Sequence, residues 1–445
     1  MIKVTFLGAG SSVFCKKLLG DCLINPDLHD YHFALYDIDP VRLGESKQII
    51  EALNVRYNKG KAMITVHCGA DDRKNALRDA DFVINAMNIG GYKPATVTDF
   101  KIPEEFGLRQ TVADTLGIGG IFRGLRSVHV IKSVCREMES VCPNAWFLNY
   151  ANPMAINTGA ILKGSAIKAV GLCHSVQDCA TGLLQRTGLL DKVKDLRWKV
   201  AGINHMAWLL SLYDGSKDLY PEVKEAAFNL NQTAFEPGGE KHRDIIRFEI
   251  MLKFGYYVTE SSSHSAEYTP YWIKNNYPEL ISKYNITLDE YLEVCERLIT
   301  RWNEQKETLL NEKTIAHEKS FEYGSVIIDS IATGTPSCIH GNILNKKLIF
   351  NLPENAVVEV PCLVDKNGIQ GTAVGDLPEV CAALNRTAIN MQNLATMAAL
   401  EGKKELIYHA AFLDPHTSAE LSIDKIVQMC DRLIQAHGNL LPKYV

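Results

Sequence analysis

Two short segments carry the residue types that hold a divalent metal. Gly171-Leu172-Cys173-His174-Ser175-Val176 and Gly202-Ile203-Asn204-His205-Met206 each stand at the end of a short apolar run. A thiolate from Cys173 and an imidazole from His205 suit a borderline divalent ion, and two protein ligands leave positions open for substrate oxygens. Spacing alone keeps a plainer reading open. A single cysteine is usually a small core residue, and a lone histidine is usually a hydrogen-bonded polar group.

A second constellation lies at the start of the chain. Phe6-Leu7-Gly8-Ala9-Gly10-Ser11-Ser12 follows an apolar run and opens an amphipathic stretch. Gly8 and Gly10 permit a tight turn and close backbone approach to a pyrophosphate, which then meets a helix N-terminus beside Ser11. The third glycine of the usual fingerprint is replaced by Val13. Asp37 ends the next apolar run, Phe33-Ala34-Leu35-Tyr36. A carboxylate there accepts from ribose hydroxyls and repels a 2′-phosphate, so NAD is favoured over NADP. The plainer reading is a glycine turn with a turn or capping aspartate. Ile89-Gly90-Gly91 reads as a second loop over the cofactor.

The elements that must position these residues alternate in the first half between short apolar runs and amphipathic stretches, as in a parallel sheet covered by helices. Strands are expected at Ile2–Leu7, Phe33–Tyr36, Ala62–Val66, Phe82–Asn85, Trp146–Leu148 and Lys168–Gly171. A helix is expected over Arg126–Cys142, where Val128, Ile131, Val134, Cys135 and Met138 recur at helical spacing. Each strand is followed by Gly, Asp or Asn, and ligands sit at such carboxyl ends. After about residue 195 the pattern is less regular. Trp198–Val200 reads as a strand. A helix is expected from Thr287, with Glu290 completing a capping box and a stripe of Leu288, Tyr291, Cys295, Leu298 and Trp302. Val357–Val364 is a further apolar segment, and Asn390–Ala399 is helical. The fold class is therefore α/β: a Rossmann-type parallel sheet domain over residues 1–195, and a second α+β domain for substrate binding and oligomerisation over 196–445. No low-complexity linker separates them.

Composition bounds the function. The chain has 445 residues, 46% hydrophobic and 22% charged, enough for a large buried core. Its net charge of −5 comes without basic blocks, which argues against nucleic acid or an anionic membrane as the partner. Twelve cysteines occur without any C-x-x-C pair, as expected for reduced thiols. The N-terminus lacks a secretory pattern, and no stretch approaches the roughly 18 apolar residues of a membrane span. A cytoplasmic protein is expected.

Taken together, Gly8 to Ser11, Asp37-Ile38-Asp39, Asp114 to Gly120, Asn149 to Pro153, Cys173-His174-Ser175 and Asn204-His205 resemble glycoside hydrolase family 4. The resemblance continues in order through Glu359 to Asp365 and Leu413 to His416. Within the family the likeness is to the bacterial α-galactosidases, on Cys173 to Gln177, Ile89 to Tyr92 and Thr259 to Ser262. It implies a lactate/malate dehydrogenase-like fold and hydrolysis without the usual carboxylate pair. In that chemistry NAD⁺ takes a hydride from sugar C3, and Mn²⁺ polarises the resulting ketone. A base then removes the acidified C2 proton, and an acid protonates the leaving aglycone. Water adds, and NADH returns the hydride.

Carried over residue by residue, the resemblance makes Cys173 and His205 the metal ligands. Asn152 becomes a substrate contact, with Asn149 as a second. His174 is the implied acid, with a hydrogen bond orienting the metal site as its alternative. Asp114 would orient the nicotinamide side or a metal-bound water, or else cap the following helix. Tyr268 is the implied base, because a nearby cation can stabilise a phenolate; Glu260, His264 and Glu267 stay open. Tyr271 and Trp272 either stack on a sugar or pack in the core.

Relatives acting on 6-phosphorylated sugars typically follow the metal cysteine with Asn or Asp. His174 and Ser175 therefore imply unphosphorylated α-galactosides, with α-glucosidase or α-galacturonidase activity as the nearest alternative. A plain dehydrogenase has no use for a Cys–His metal pair, and an inactive NAD-binding regulator would not keep one. The resemblance also implies a homodimer or homotetramer.

Overall fold

The structure, a computed structural model, describes residues 1–311 and 315–445. Six parallel strands come first: β1 (Ile2–Leu7), β2 (Tyr31–Asp37), β3 (Met63–Cys68), β4 (Phe82–Asn85), β5 (Trp146–Asn149) and β6 (Lys168–Gly171). They lie in the order β3-β2-β1-β4-β5-β6. The order reverses between β1 and β4, which opens a crevice at the carboxyl ends of the strands. All four residues of β4 are buried, as a strand covered on both faces requires. The strands expected at Ile2–Leu7, Phe82–Asn85 and Lys168–Gly171 have those bounds. The one expected at Ala62–Val66 starts one residue later and runs two residues further.

The chain beyond residue 195 extends the same sheet. β7 (Leu196–Ile203), β8 (Met206–Asp214), β9 (Lys217–Asp218), β10 (Tyr257–Val258), β11 (Ser337–Leu344), β12 (Val357–Asp365) and β13 (Gly368–Gly371) are all antiparallel to their neighbours. The order continues β6-β11-β12-β7-β8-β10. One row of paired residues crosses four strands: Gly171, Asn342, Glu359 and Gly202. The loop carrying Cys173 leaves one end of this row, and the turn carrying His205 leaves the other.

Nine helices matter for the site: α1 (Ser12–Leu23), α2 (Pro40–Asn58), α3 (Val97–Glu105), α4 (Gly117–Val141), α5 (Met154–Gly164), α6 (Ser262–Glu267), α7 (Glu290–Leu310), α8 (Glu379–Glu401) and α9 (Ile423–His437). α8 packs on both α4 and α5, so the late part of the chain covers the early sheet. A buried ion pair pins the last helix. Arg126 of α4 donates to both carboxylate oxygens of Asp99 at 2.9 and 2.7 Å, and His437 Nε2 stands 2.8 Å from the same carboxylate.

Two helices begin elsewhere than their sequence suggests. α4 starts at Gly117, nine residues before the expected Arg126. Its first turns hold Gly117, Gly119, Gly120 and Gly124, residues that hide a helix from propensity. Close packing requires three of them, since a Cβ on Gly119, Gly120 or Gly124 would lie 2.6, 2.6 or 2.9 Å from Ala113, Thr115 or Ile156, and Gly117 has a φ of +72°. α7 starts at Glu290, and Asp289 before it is left-handed with no side-chain cap, so the capping box from Thr287 does not form. Tertiary contacts replace it, since the Asp289 and Tyr291 N–H groups donate to the Gln110 and Thr111 carbonyls at 2.9 and 3.1 Å.

All twelve cysteines are free. Among the described residues no helix is long and apolar enough to cross a membrane.

Candidate active site

At the carboxyl end of β1 the chain turns through Gly8, whose φ of +86° and approach to Ala86 leave no room for a side chain. The Gly10 N–H donates to Asp37 Oδ2 at 2.7 Å, and the Asp39 N–H donates to Oδ1 at 3.0 Å. Asp37 thus reaches the glycine turn from 27 residues away. α1 then starts after Ser11, whose side chain makes no capping bond, and Val13 is exposed where the third glycine would stand. The first-turn N–H groups of α1 therefore have no side-chain cap. Ile89-Gly90-Gly91 follows β4 at the same end of the sheet, with the Ile89 carbonyl accepting from Arg126 Nε at 3.4 Å.

The second centre forms where the two ends of the four-strand row fold towards each other. Asn204 and His205 make the two-residue turn between β7 and β8, with His205 in the left-handed region at φ 62°. This turns the imidazole towards the Cys173 loop. Cys173 Sγ and His205 Nε2 stand 3.3 Å apart, and the Ser175 hydroxyl lies 3.3 Å from the same sulfur. Burial pushes the Cys173 thiol up to about 12, so only a bound cation would make its thiolate stable there.

A short chain of contacts delivers the acidic groups. Glu267 accepts from the Thr111, Val112 and Ala113 N–H groups at 2.8, 3.1 and 2.8 Å. This holds the segment that carries Asp114. The Asp114 carboxylate accepts from the Thr115 hydroxyl at 2.7 Å and from Asn152 Nδ2 at 2.9 Å, and its Oδ1 lies 3.5 Å from His264 Nε2. Burial works to raise Asp114, but His264, Arg123 and His205 outweigh it and hold the carboxyl well below its usual range. Glu260 is likewise raised by burial and lowered further by His264 and His205, to about 2. Burial opposes the charge on His264, yet Glu260 and Asp114 raise it. The His264 and His205 rings meet edge to face at 4.9 Å.

These groups line one cavity of about 580 Å³, whose walls include Asp114, Asn152, Cys173, His174, His205, Glu260 and His264. Among the described residues, two donor sets in it could hold a cation, and both include His205. One adds Cys173 and Glu260, the other Asp114 and His264, with the donor atoms of each set within 4.8 Å of one another. His174 is exposed at the wall.

Several expectations need correction. Tyr268 is only 2% exposed, and its hydroxyl lies 3.2 Å from His205 Nδ1, on the side of the ring away from Cys173. Burial, then Asp114 and Glu267, push the phenol well above its usual value. It stands behind His205 and is not among the residues that line the cavity. Asn149 is fully buried, and its amide is spent inside the fold on Asn85, Ala151 and Thr158, which leaves nothing for a substrate. Asp114 does not cap α4, because Leu116 holds the cap position. Trp272 packs in the core and Tyr271 is exposed, both outside this cavity. Of the α7 stripe only Trp302 is buried, while Tyr291 and Leu298 turn to the cavity.

Other residues escaped the sequence reading. Thr115 binds both Asp114 and His205 Nδ1, the latter at 3.1 Å. Asn342 donates to Glu359 Oε1 at 3.0 Å in the middle of the row, where burial pushes the Glu359 carboxyl up to about 7. Glu290 and Val294 complete the α7 wall. Thr115 lies inside the Asp114 to Gly120 motif and Glu290 reads only as part of a capping box, while Asn342 and Val294 carry no signal. Asp414 of the late motif caps a short helix by accepting from the Thr417 N–H at 2.8 Å.

A family model described as "Family 4 glycosyl hydrolase" matches residues 3–189, and one described as "Family 4 glycosyl hydrolase C-terminal domain" matches residues 200–417. The chain is 53% identical to an α-galactosidase of Bacillus subtilis over 444 residues, covering all of both chains. It is 33% identical to an α-galactosidase of Rhizobium meliloti, covering 99% of this chain and 89% of that one. A 6-phospho-α-glucosidase from gut microorganisms, solved in complex with NAD and Mn²⁺, superposes with a TM-score of 0.78 at 21% identity and full coverage of both chains. The chain is a member of glycoside hydrolase family 4.

Proposed function

We propose that this protein hydrolyses unphosphorylated α-galactosides, using NAD at the β1–α1 turn and a divalent cation, Mn²⁺, at Cys173 and His205. The observation that carries the reading is the 3.3 Å apposition of Cys173 Sγ and His205 Nε2 in a cavity shared with Asn152 and His174. The galactose preference is supported by the Bacillus subtilis relative. The pair of cofactors is the one in the solved 6-phospho-α-glucosidase complex. The residues present fit both groups. A glycine turn, an uncapped helix start and Asp37 suit a dinucleotide, and a thiol opposite an imidazole suits a borderline cation. The division into residues 1–195 and 196–445 is supported by the two family models, which meet between 189 and 200.

When bound, NAD supplies a hydride acceptor and the cation a Lewis acid for the sugar oxygens. The chain's own residues do the rest. Asn152, its amide nitrogen held by Asp114, leaves Oδ1 to accept from a sugar hydroxyl. His174, exposed at the cavity wall, donates a proton to the departing oxygen. Although burial opposes its charge, His264 is raised by Glu260 and Asp114 and so held towards its charged form. Its Nδ1 lies 2.8 Å from the Ser261 hydroxyl and its Nε2 3.5 Å from Asp114 Oδ1, so it orients that carboxylate and, through it, Asn152.

The test is release of nitrophenol from the α-galactoside with NAD⁺ and Mn²⁺ each present or omitted, beside the α-glucoside, α-galacturonide and 6-phospho-α-glucoside. Hydrolysis of the α-galactoside that vanishes without either cofactor is expected. Turnover that survives thorough removal of both would sink the mechanism, and activity on another glycoside alone would overturn the substrate.

A further inference from the structure

His205 is shared by both possible donor sets, and its two nitrogens do different work. Nδ1 faces the hydroxyls of Thr115 and Tyr268 at 3.1 and 3.2 Å. Nε2 faces Cys173 Sγ at 3.3 Å and Glu260 Oε2 at 3.5 Å. The set built on Asp114 is largely committed, because that carboxylate already holds the Thr115 hydroxyl and the Asn152 amide. Glu260 is different. Its Oε1 accepts from the Ser261 N–H at 2.8 Å, while Oε2 is aimed at the space between His205 and Cys173. Cys173, His205 and Glu260 offer a sulfur, a nitrogen and an oxygen within 4.8 Å of one another.

We propose that Glu260 is a third protein ligand of the cation, completing a facial Cys173–His205–Glu260 set; this rests on the metal-dependent reading of the site. Charge favours it, since a thiolate and a carboxylate balance a divalent ion. Coordination favours it too. Three protein donors on one side of a roughly six-coordinate ion leave about three positions towards the cavity, enough for two neighbouring sugar oxygens and a water. The hydroxyls on Nδ1 then fix the imidazole's orientation, as outer partners of metal-bound histidines do. Ser175 does the same for the sulfur. The alternative role for Glu260, a buried counter-charge for His264, would require no donor atom aimed at Nε2 of His205.

The test is metal binding by the whole protein without substrate. Protein stripped with a chelator is titrated with Mn²⁺, free ion is followed by electron paramagnetic resonance, and the same proteins are loaded with Co²⁺ for absorption spectra. The wild type is expected to bind one ion per chain, and Cys173→Ala and His205→Ala to abolish binding. Glu260→Gln should weaken it by about 10- to 100-fold or more, at least the loss usual for an outer-shell partner. Its Co²⁺ spectrum should keep the thiolate charge-transfer band while the d–d bands change, which a mere counter-charge would not cause. Glu260→Asp, which keeps the carboxylate, should fall between them and carries the test if the Gln variant does not fold. Wild-type affinity with unchanged d–d bands in Glu260→Gln would overturn the third ligand and leave the metal site standing. No binding by the wild type, or full binding by Cys173→Ala, would overturn the metal reading itself.

Discussion

The Tyr268 hydroxyl and His205 Nδ1 face each other at 3.2 Å, with Thr115 sharing the same nitrogen at 3.1 Å. Tyr268 is therefore expected to act through His205. Removing an outer partner of a metal-binding histidine usually costs about 10- to 100-fold in metal affinity. Tyr268→Phe should show that loss in the Mn²⁺ concentration needed for half activity, with most of the wild-type rate restored at high Mn²⁺. A base would behave differently: its removal would lower the rate at every Mn²⁺ concentration.

Asp37 is tied to the glycine turn through the Gly10 N–H at 2.7 Å. Hydrogen bonds to a charged group contribute about 1.5–3 kcal/mol. Asp37→Ala should raise the Kd for NAD⁺ by about tenfold or more, since 1.4 kcal/mol is tenfold in affinity. It should also narrow the preference over NADP⁺, because the like charge that repels a 2′-phosphate is gone. Calorimetric titration with both nucleotides checks this.

His174 stands exposed on the cavity wall. General acids typically contribute about 10²- to 10⁴-fold. His174→Ala should lose that much on an alkyl α-galactoside or disaccharide, whose leaving oxygen needs a proton. It should lose far less on the nitrophenyl glycoside, whose leaving group is stable as the anion. Equal losses on both would remove His174 from the acid role.

His340 of β11 stacks on Trp198 with ring centroids 5.3 Å apart, and burial lowers it from its ordinary 6.5 to about 4. Its folded value is depressed, so between those pH values the unfolded chain binds more protons than the folded one. The stability it allows is fully present above pH 6.5 and falls as pH drops towards 4, by at most about 1.4 kcal/mol per pH unit. His340→Phe keeps a ring against Trp198 and removes the titration. The gap in denaturation midpoint between pH 7.5 and pH 5 should be smaller in this variant than in the wild type.

Much of the nucleotide half was legible in the sequence. Runs such as Ile2–Leu7 and Phe82–Asn85 are short, apolar and closed by turn residues, and a strand buried on both faces admits little else. Gly8, Gly10 and Asp37 could be read because their task is local, a turn at the end of a strand. α4 and α7 were misplaced at their starts because glycines packed against Ala113 and carbonyls from Gln110 and Thr111 override local preference.

What the sequence determined by itself was the α/β class, the glycine turn with its aspartate, and the motif run that marks the family. Those are properties of residue order, read off neighbours along the chain. Tertiary structure decided which side chains meet. Cys173 and His205 lie 32 residues apart and touch only because β11 and β12, more than a hundred residues later, enter the sheet between β6 and β7. Tyr268 and Glu260 are near neighbours in sequence, yet they fall on opposite sides of the same imidazole. No spacing rule could assign one to support and the other to the cavity. That assignment depends on the left-handed turn at His205 and on the three backbone bonds to Glu267, which together set the direction each group faces.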